Sequence, residues 1–176
     1  MLREIELCDL ININYKTLKN IKGIGEVKAI TILSAIEFGK RVLNKISLDI
    51  CIKSSLDIYN MVKFDLENEL QEKFMVIYLD TRNYVILKKI LFMGTVNHSS
   101  VTARDVFREG VKNNAAKMIL VHNHPAGTVN PSFDDISLTN IFIKLGKMME
   151  IIVLDHIIVG KGSFYSFREN NGSLFE

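Results

Sequence analysis

The sequence predicts an α/β protein, a mixed sheet with helices on its faces, preceded by a small helical unit. Three observations carry this. Phe74 to Leu79 (FMVIYL) and Met118 to Val121 (MILV) are continuous apolar runs with the length of strands buried on both faces. Segments of helical period alternate with them, and strands alternating with helices imply a sheet covered by helices. The first unit, residues 1–46, reads as two short helices and carries a different charge. From Lys16 to Lys45 seven Lys or Arg face only Glu26 and Glu37, whereas from residue 51 onward fourteen basic residues balance fourteen acidic ones.

In chain order, the first unit (1–46) reads as two helices, Tyr15 to Asn20 and Glu26 to Leu43. They are joined by the turn Lys22-Gly23-Ile24-Gly25. Ala29, Ile32, Leu33, Ile36 and Leu43 form the apolar stripe of the second helix, and Val27, Ile30 and Phe38 are expected to widen it. Patterning changes between Asn44 and Ser54, which marks the boundary with a second unit (54–176). There, Ser54 to Leu66 reads as a helix capped by Ser54 or Ser55. The strand Phe74 to Leu79 turns at Thr81-Arg82-Asn83 into a second strand, Tyr84 to Met93. A helix from Ala103 to Asn113 has Thr102 placed as its N-cap. After the strand Met118 to Val121 come a long helix, Ser132 to Met149, and strands Ile151 to Val159 and Ser163 to Phe167.

Composition removes several classes. Of the 176 residues 48% are hydrophobic and 24% charged, as in a soluble globular protein, so a disordered or collagen-like chain is excluded. No uncharged apolar run reaches membrane-spanning length, and MLREIELCDL, with Glu4, Glu6 and Asp9, does not read as a secretory signal. Cys8 and Cys51 are far apart and belong to no C-x-x-C pair. That suits a reducing cytoplasm and argues against a thiolate zinc site.

The chemistry concentrates where the strand Met118 to Val121 runs into His122-Asn123-His124-Pro125. Side chains at i and i+2 of an extended chain point the same way, so His122 and His124 can offer two imidazoles to one ion. Asp135 follows eleven residues after His124, in the first turn of the next helix. Two His and one carboxylate leave a fourth tetrahedral position open, as in a catalytic zinc site. Ser132 and Asp135 also read as a plain helix start, with Ser132 as N-cap and Asp135 at the third helical position. Both prolines, Pro125 and Pro131, stiffen the same loop.

These residues resemble a known signature. His122, His124, Ser132 and Asp135 fit H-x-H, seven residues, S-x-x-D without a gap, which is similar to the JAMM (MPN) metalloproteases. LDTRN (Leu79 to Asn83), HNHPAG (His122 to Gly127), LDHIIVG (Leu154 to Gly160) and SFRE (Ser166 to Glu169) resemble the RadC family, named as DNA repair proteins. The likeness covers roughly residues 18 to 170. Ala126 stands where the RadC pattern usually has Ser, and the N-terminal helical region is shorter than in typical RadC chains. The resemblance implies a JAMM/MPN layered fold, similar in its layers to cytidine deaminases. It implies zinc held by His122, His124 and Asp135, and hydrolysis of a peptide or isopeptide bond. It also implies an acid–base glutamate near the water, for which Glu72 matches the family position best, and a Ser132 hydroxyl that helps stabilise the oxyanion. Asp80 lies at the other end of the strand, ~26 Å from Glu72 at ~3.3 Å per residue, so the two cannot share a site. Asp155 and His156, inside an apolar strand, read as residues that support or pack the site, and His98 as ordinary surface.

Leu18, Ile21, Gly23, Ile24, Gly25, Ala29 and Ile32 are spaced in a way that resembles a helix-hairpin-helix motif. Its turn would bring backbone N–H groups to a phosphate, with Lys19, Lys22 and Lys28 adding charge. A plain glycine turn between packed helices, with a solvated basic face, fits the same residues. The sequence thus supports a zinc hydrolase of the JAMM type, with a non-enzymatic DNA-associated protein that keeps the fold and metal as the alternative. A zinc nucleoside deaminase is excluded, because neither H-x-E nor P-C-x-x-C occurs.

Overall fold

The computed structural model describes residues 13–46, 50–94 and 101–175, with the backbone alone for 40–46. The MLREIELCDL stretch with Cys8, His98 and the Leu43 side chain lie outside the described residues. The chain divides into two compact units, Met1–Ser47 and Leu48–Glu176.

In the first unit α1 (Tyr15–Lys19) starts at Asn14, whose side chain accepts the Thr17 N–H at 2.9 Å. A short turn through Gly23, at φ +91°, leads into α2 (Glu26–Ile46). Leu18, Ile24 and Ala29 form a small buried core, with Ile13, Tyr15, Ile21, Ile32 and Leu33 packed on it. Val27, Ile30 and Phe38 do not widen that core; they are 78%, 51% and 69% exposed. The reason is angular. At 100° per residue, Val27 and Phe38 lie about opposite Ala29, and Ile30 a quarter turn away.

The second unit is built on five strands: β1 (Lys73–Leu79), β2 (Val85–Met93), β3 (Lys117–Asn123), β4 (Ile152–Val159) and β5 (Phe164–Ser166). Their order across the sheet is β2-β1-β3-β4-β5. All neighbours are antiparallel except β3 and β4, which are parallel. The parallel pair needs a crossover, supplied by α5 (Phe133–Met149).

β1 shows why its sequence is continuously apolar. Phe74, Val76 and Tyr78 face one layer with Met118, Leu120 and Val153, beneath α4 (Ala103–Lys112) and α5. Met75, Ile77 and Leu79 face the other, with Ile119, Val121 and Ile157, beneath α3 (Ser55–Leu66). Both faces are covered, so alternation along the strand exposes nothing. Each fully buried large side chain in these layers contributes about 1.5–3 kcal/mol.

The helix starts follow local chemistry. Ser54 caps α3 in a capping box with Asp57, and Thr102 caps α4. A four-residue helix, α6 (Phe167–Asn170), and a closing 3₁₀ turn (Gly172–Phe175) complete the unit. No helix among the described residues is long and apolar enough to cross a membrane.

Candidate metal centre

β3 extends two residues beyond the apolar run that announces it, so His122 lies inside the strand and is fully buried. His124 begins the following loop, tied down by its N–H to the Val159 carbonyl at 2.9 Å. Its carbonyl accepts the Gly127 N–H at 2.9 Å, in a tight turn where Gly127 sits at φ +84°. Two residues apart on nearly extended chain, the two rings meet, with Nε2 atoms 3.0 Å apart.

Asp135 reaches them from the first turn of α5. It is 4% exposed. Its Oδ1 lies 3.0 Å from His122 Nε2, and its Oδ2 lies 3.5 Å from His124 Nε2. Asp135 also caps its helix. Oδ2 accepts the Ser132 N–H and the Ser132 O–H, each at 2.7 Å, while the Asp135 N–H donates to Ser132 Oγ at 3.2 Å. Cap and site therefore share one carboxylate: Oδ1 faces His122, and Oδ2 serves the cap while also facing His124.

The donor set fits a metal ion. An ion about 2.0–2.1 Å from each donor, in tetrahedral geometry, needs donors roughly 3.3 Å apart. The separations observed here are of that order: 3.0 Å between the two Nε2 atoms, 3.0 Å from His122 Nε2 to Asp135 Oδ1 and 3.5 Å from His124 Nε2 to Asp135 Oδ2, with one donor atom from each residue within 4.8 Å of the others. His124 Nδ1 donates to the Thr128 carbonyl at 3.1 Å, which leaves the Nε2 of the neutral ring as a lone pair aimed into the site. Among the described residues, His122, His124 and Asp135 are the one group of three or more His, Cys, Asp or Glu arranged to hold a cation.

The electrostatics reflect the same convergence. Burial alone would push the Asp135 carboxyl up. Hydrogen bonds from His122 and His124, the charge of His122 and the Ser132 hydroxyl outweigh it and hold the group well below the usual carboxylate range. The hydrogen bond to Asp135 lifts His124 above its ordinary value against the effect of burial, and the charge of Glu72 adds to the lift.

Glu72 is half-buried at the entry to β1, where Phe74 pairs with His122 across the sheet. Its carbonyl accepts the Gly94 N–H at 2.8 Å. Asn123, between the two histidines and pointing to the other side, brackets Glu72. Its Oδ1 accepts the Lys73 N–H at 2.7 Å and its Nδ2 donates to the Gln71 carbonyl at 3.1 Å. Asp80 is engaged elsewhere, accepting the Arg82 and Tyr84 N–H groups at 2.8 Å each in the turn after β1.

Sequence reasoning missed Asn123 and Thr139. Thr139 lies four residues after Asp135 on α5, and that spacing, which puts both on one helix face, was the available signal. His156, expected as support or packing, lies against the site: its Nε2 is 2.8 Å from His122 Nδ1. Burial holds His156 well below the ordinary imidazole value, and the charge of His122 adds to this.

Fold and donor set together describe a layered α/β domain of the JAB class, with a group that could bind a metal ion at the end of its central strand. The RadC-like JAB domain model matches residues 52–172. The chain belongs to the RadC family. It is 40% identical over 171 residues to a UPF0758 protein of Geobacillus kaustophilus, covering 96% of this chain and 76% of that protein. It is 42% identical over 154 residues to the UPF0758 protein YsxA of Bacillus subtilis, covering 86% of this chain and 66% of that protein. A UPF0758 protein of a Geobacillus species (strain WCH70) is 43% identical over 152 residues, covering 85% and 67%.

Proposed function

We propose that this chain is a zinc-dependent hydrolase of peptide or isopeptide bonds. The observation that carries the reading is the convergence of three donors in a buried place: His122 Nε2 lies 3.0 Å from His124 Nε2 and 3.0 Å from Asp135 Oδ1, His124 Nε2 lies 3.5 Å from Asp135 Oδ2, and one donor atom from each residue lies within 4.8 Å of the others. These three residues would hold zinc. Bound there, zinc supplies Lewis acidity toward water and toward a carbonyl oxygen. Glu72 takes the proton of the attacking water and hands it to the leaving nitrogen. Asn123 fixes the backbone on either side of Glu72. The Ser132 hydroxyl donates its one proton to Asp135 Oδ2 and is the proposed donor to the developing oxyanion once it turns away from that carboxylate. The setting is a reducing cytoplasm, in which Cys51 stays a free thiol.

The test is metal analysis of protein purified without chelator, followed by incubation with a mixed peptide library read by mass spectrometry. One zinc per chain is expected, with cleavage lost in His124→Ala and in Glu72→Ala while the Glu72 variant keeps its metal. Chains without zinc, or cleavage unchanged by Glu72→Ala, would refute the reading.

A second reading concerns the first unit. A helical hairpin turning at Gly23, with Lys16, Lys19, Lys22 and Lys28 all exposed, supports association with DNA, in line with a DNA-repair setting. It predicts salt-dependent duplex binding that weakens in Lys19→Glu/Lys22→Glu and ignores His124→Ala.

A further inference from the structure

The polar side chains behind His122 form a chain with one consistent assignment of protons. Thr139, fully buried on α5, sits in two short contacts. Its Oγ1 is 2.6 Å from the Asp135 carbonyl oxygen and 2.6 Å from His156 Nδ1. Each contact that short needs a proton in it, and a hydroxyl has only one. The carbonyl has none to give, so the Thr139 proton lies there and His156 supplies the other from Nδ1. His156 is fully buried between Phe74, edge-on at 6.2 Å, and Phe167, stacked at 5.0 Å, and no ion pair to its ring is found among the described residues. Its ring is therefore neutral, and its Nε2 is an acceptor. That nitrogen lies 2.8 Å from His122 Nδ1, so His122 donates from Nδ1. When the ring is neutral, as a metal ligand must be, the Nε2 of His122 then faces His124 and Asp135 as a lone pair.

His156 is on this side of the sheet because β4 carries a bulge. The pairing with β3 slips between Met118↔Val153 and Ile119↔Asp155. Without the slip, alternation from Val153 would send His156 to the α3 layer. Asp155 holds the bulge. Its Oδ1 accepts the N–H of His156 at 2.7 Å and of Arg168 at 2.9 Å, and its Oδ2 accepts the Ser166 hydroxyl at 2.6 Å. The Asp155-His156 pair thus has a divided task, with one residue shaping the strand and the other reaching the site.

We propose that Thr139 and His156 are positioning residues, a relay from the α5 backbone that fixes the ring of His122 with its Nε2 lone pair toward His124 and Asp135. The proposal deepens the zinc reading and rests on it for its purpose. The relay itself can be read without metal.

In metal-free protein labelled with ¹⁵N at histidine, two-bond ¹H–¹⁵N correlation should show His156 protonated on Nδ1 and bare on Nε2, and His122 protonated on Nδ1. A His156 proton on Nε2 would overturn the proposal whether or not zinc binds. Zinc titration is the second arm. His156→Leu and the near-isosteric Thr139→Val should each weaken zinc binding roughly 10–100-fold, the usual effect of losing a partner behind a metal-ligating histidine. His156→Gln, which restores an acceptor toward His122, and Thr139→Ser, which keeps the hydroxyl, should recover most of it. Equal affinity in Thr139→Val and Thr139→Ser would show the relay to be inert. A wild-type protein that takes up no zinc would instead sink the metal reading and leave the tautomer measurement to decide the relay.

Discussion

Replacing Asp135 with alanine should do two separable things to the protein. The first is loss of half a capping box. The carboxylate now accepts the Ser132 N–H and O–H at 2.7 Å each, and losing a cap of this kind costs about 1 kcal/mol. For a unit the size of Leu48–Glu176, that lowers Tm by roughly 3–5 °C. The second is loss of a ligand. Zinc at a free concentration 100 times its Kd stabilises the wild type by about 2.7 kcal/mol, or roughly 8–13 °C. If the ligand loss weakens binding ~100-fold, the same zinc concentration adds only about 0.4 kcal/mol to Asp135→Ala. Ser132→Ala is the control, since it removes the cap hydroxyl and keeps all three donors. It should lose about 1 kcal/mol yet retain most of the zinc shift. Scanning calorimetry with zinc and with chelator reads all three proteins. The reasoning fails if zinc raises Tm equally in the wild type and Asp135→Ala. It fails equally if zinc moves neither protein while the metal-free loss persists, because Asp135 would then be a cap and nothing more.

Three further outcomes follow from the same geometry. Asn123→Ala leaves the Lys73 N–H without its acceptor, so we expect a loss of about 1–3 kcal/mol in urea unfolding and slower cleavage with unchanged zinc affinity. In Gly160→Ala the added Cβ would meet the Gly127 carbonyl oxygen at 2.5 Å and Val129 Cγ1 at 2.6 Å, a clash that backbone cannot relieve locally. Thermal unfolding should show about 1–3 kcal/mol of destabilisation, with weaker zinc binding because the displaced loop carries His124. The Asp57 carboxylate is held below its ordinary value, first by the Lys53 N–H and then by the Ser54 hydroxyl. A lowered folded value means stability that is present above the ordinary 3.8 and lost as pH falls through the lowered one. Asp57→Asn should therefore flatten the fall in the urea midpoint below about pH 4.

The elements were legible because the sequence repeats one message at several levels. Phe74 to Leu79 and Met118 to Val121 are apolar without alternation, and each lies in a strand covered on both sides. The i, i+2 rule placed His122 and His124 side by side. Asp135 was readable twice, as a helix-start residue and as a donor facing two imidazoles, and the structure shows the first together with the geometry of the second. What escaped depends on register. Asn123 meets Gln71 and Lys73 only because Phe74 pairs with His122 across β1 and β3, some fifty positions away in sequence. His156 reaches His122 only because of a one-residue bulge, and strict alternation would have sent it to the wrong side. In the first unit, Val27, Ile30 and Phe38, off the main stripe, read as widening the apolar face, but their helical angles leave them exposed.

The central claim is that one cation is shared by His122, His124 and Asp135. Anomalous diffraction at the zinc absorption edge, on crystals of the protein purified without chelator, addresses it most directly. The account predicts a single peak about 2.0–2.2 Å from His122 Nε2, His124 Nε2 and one Asp135 oxygen, with the fourth direction open to solvent. A peak on other side chains, or Asp135 still bound only to Ser132 with no peak beside it, would contradict it.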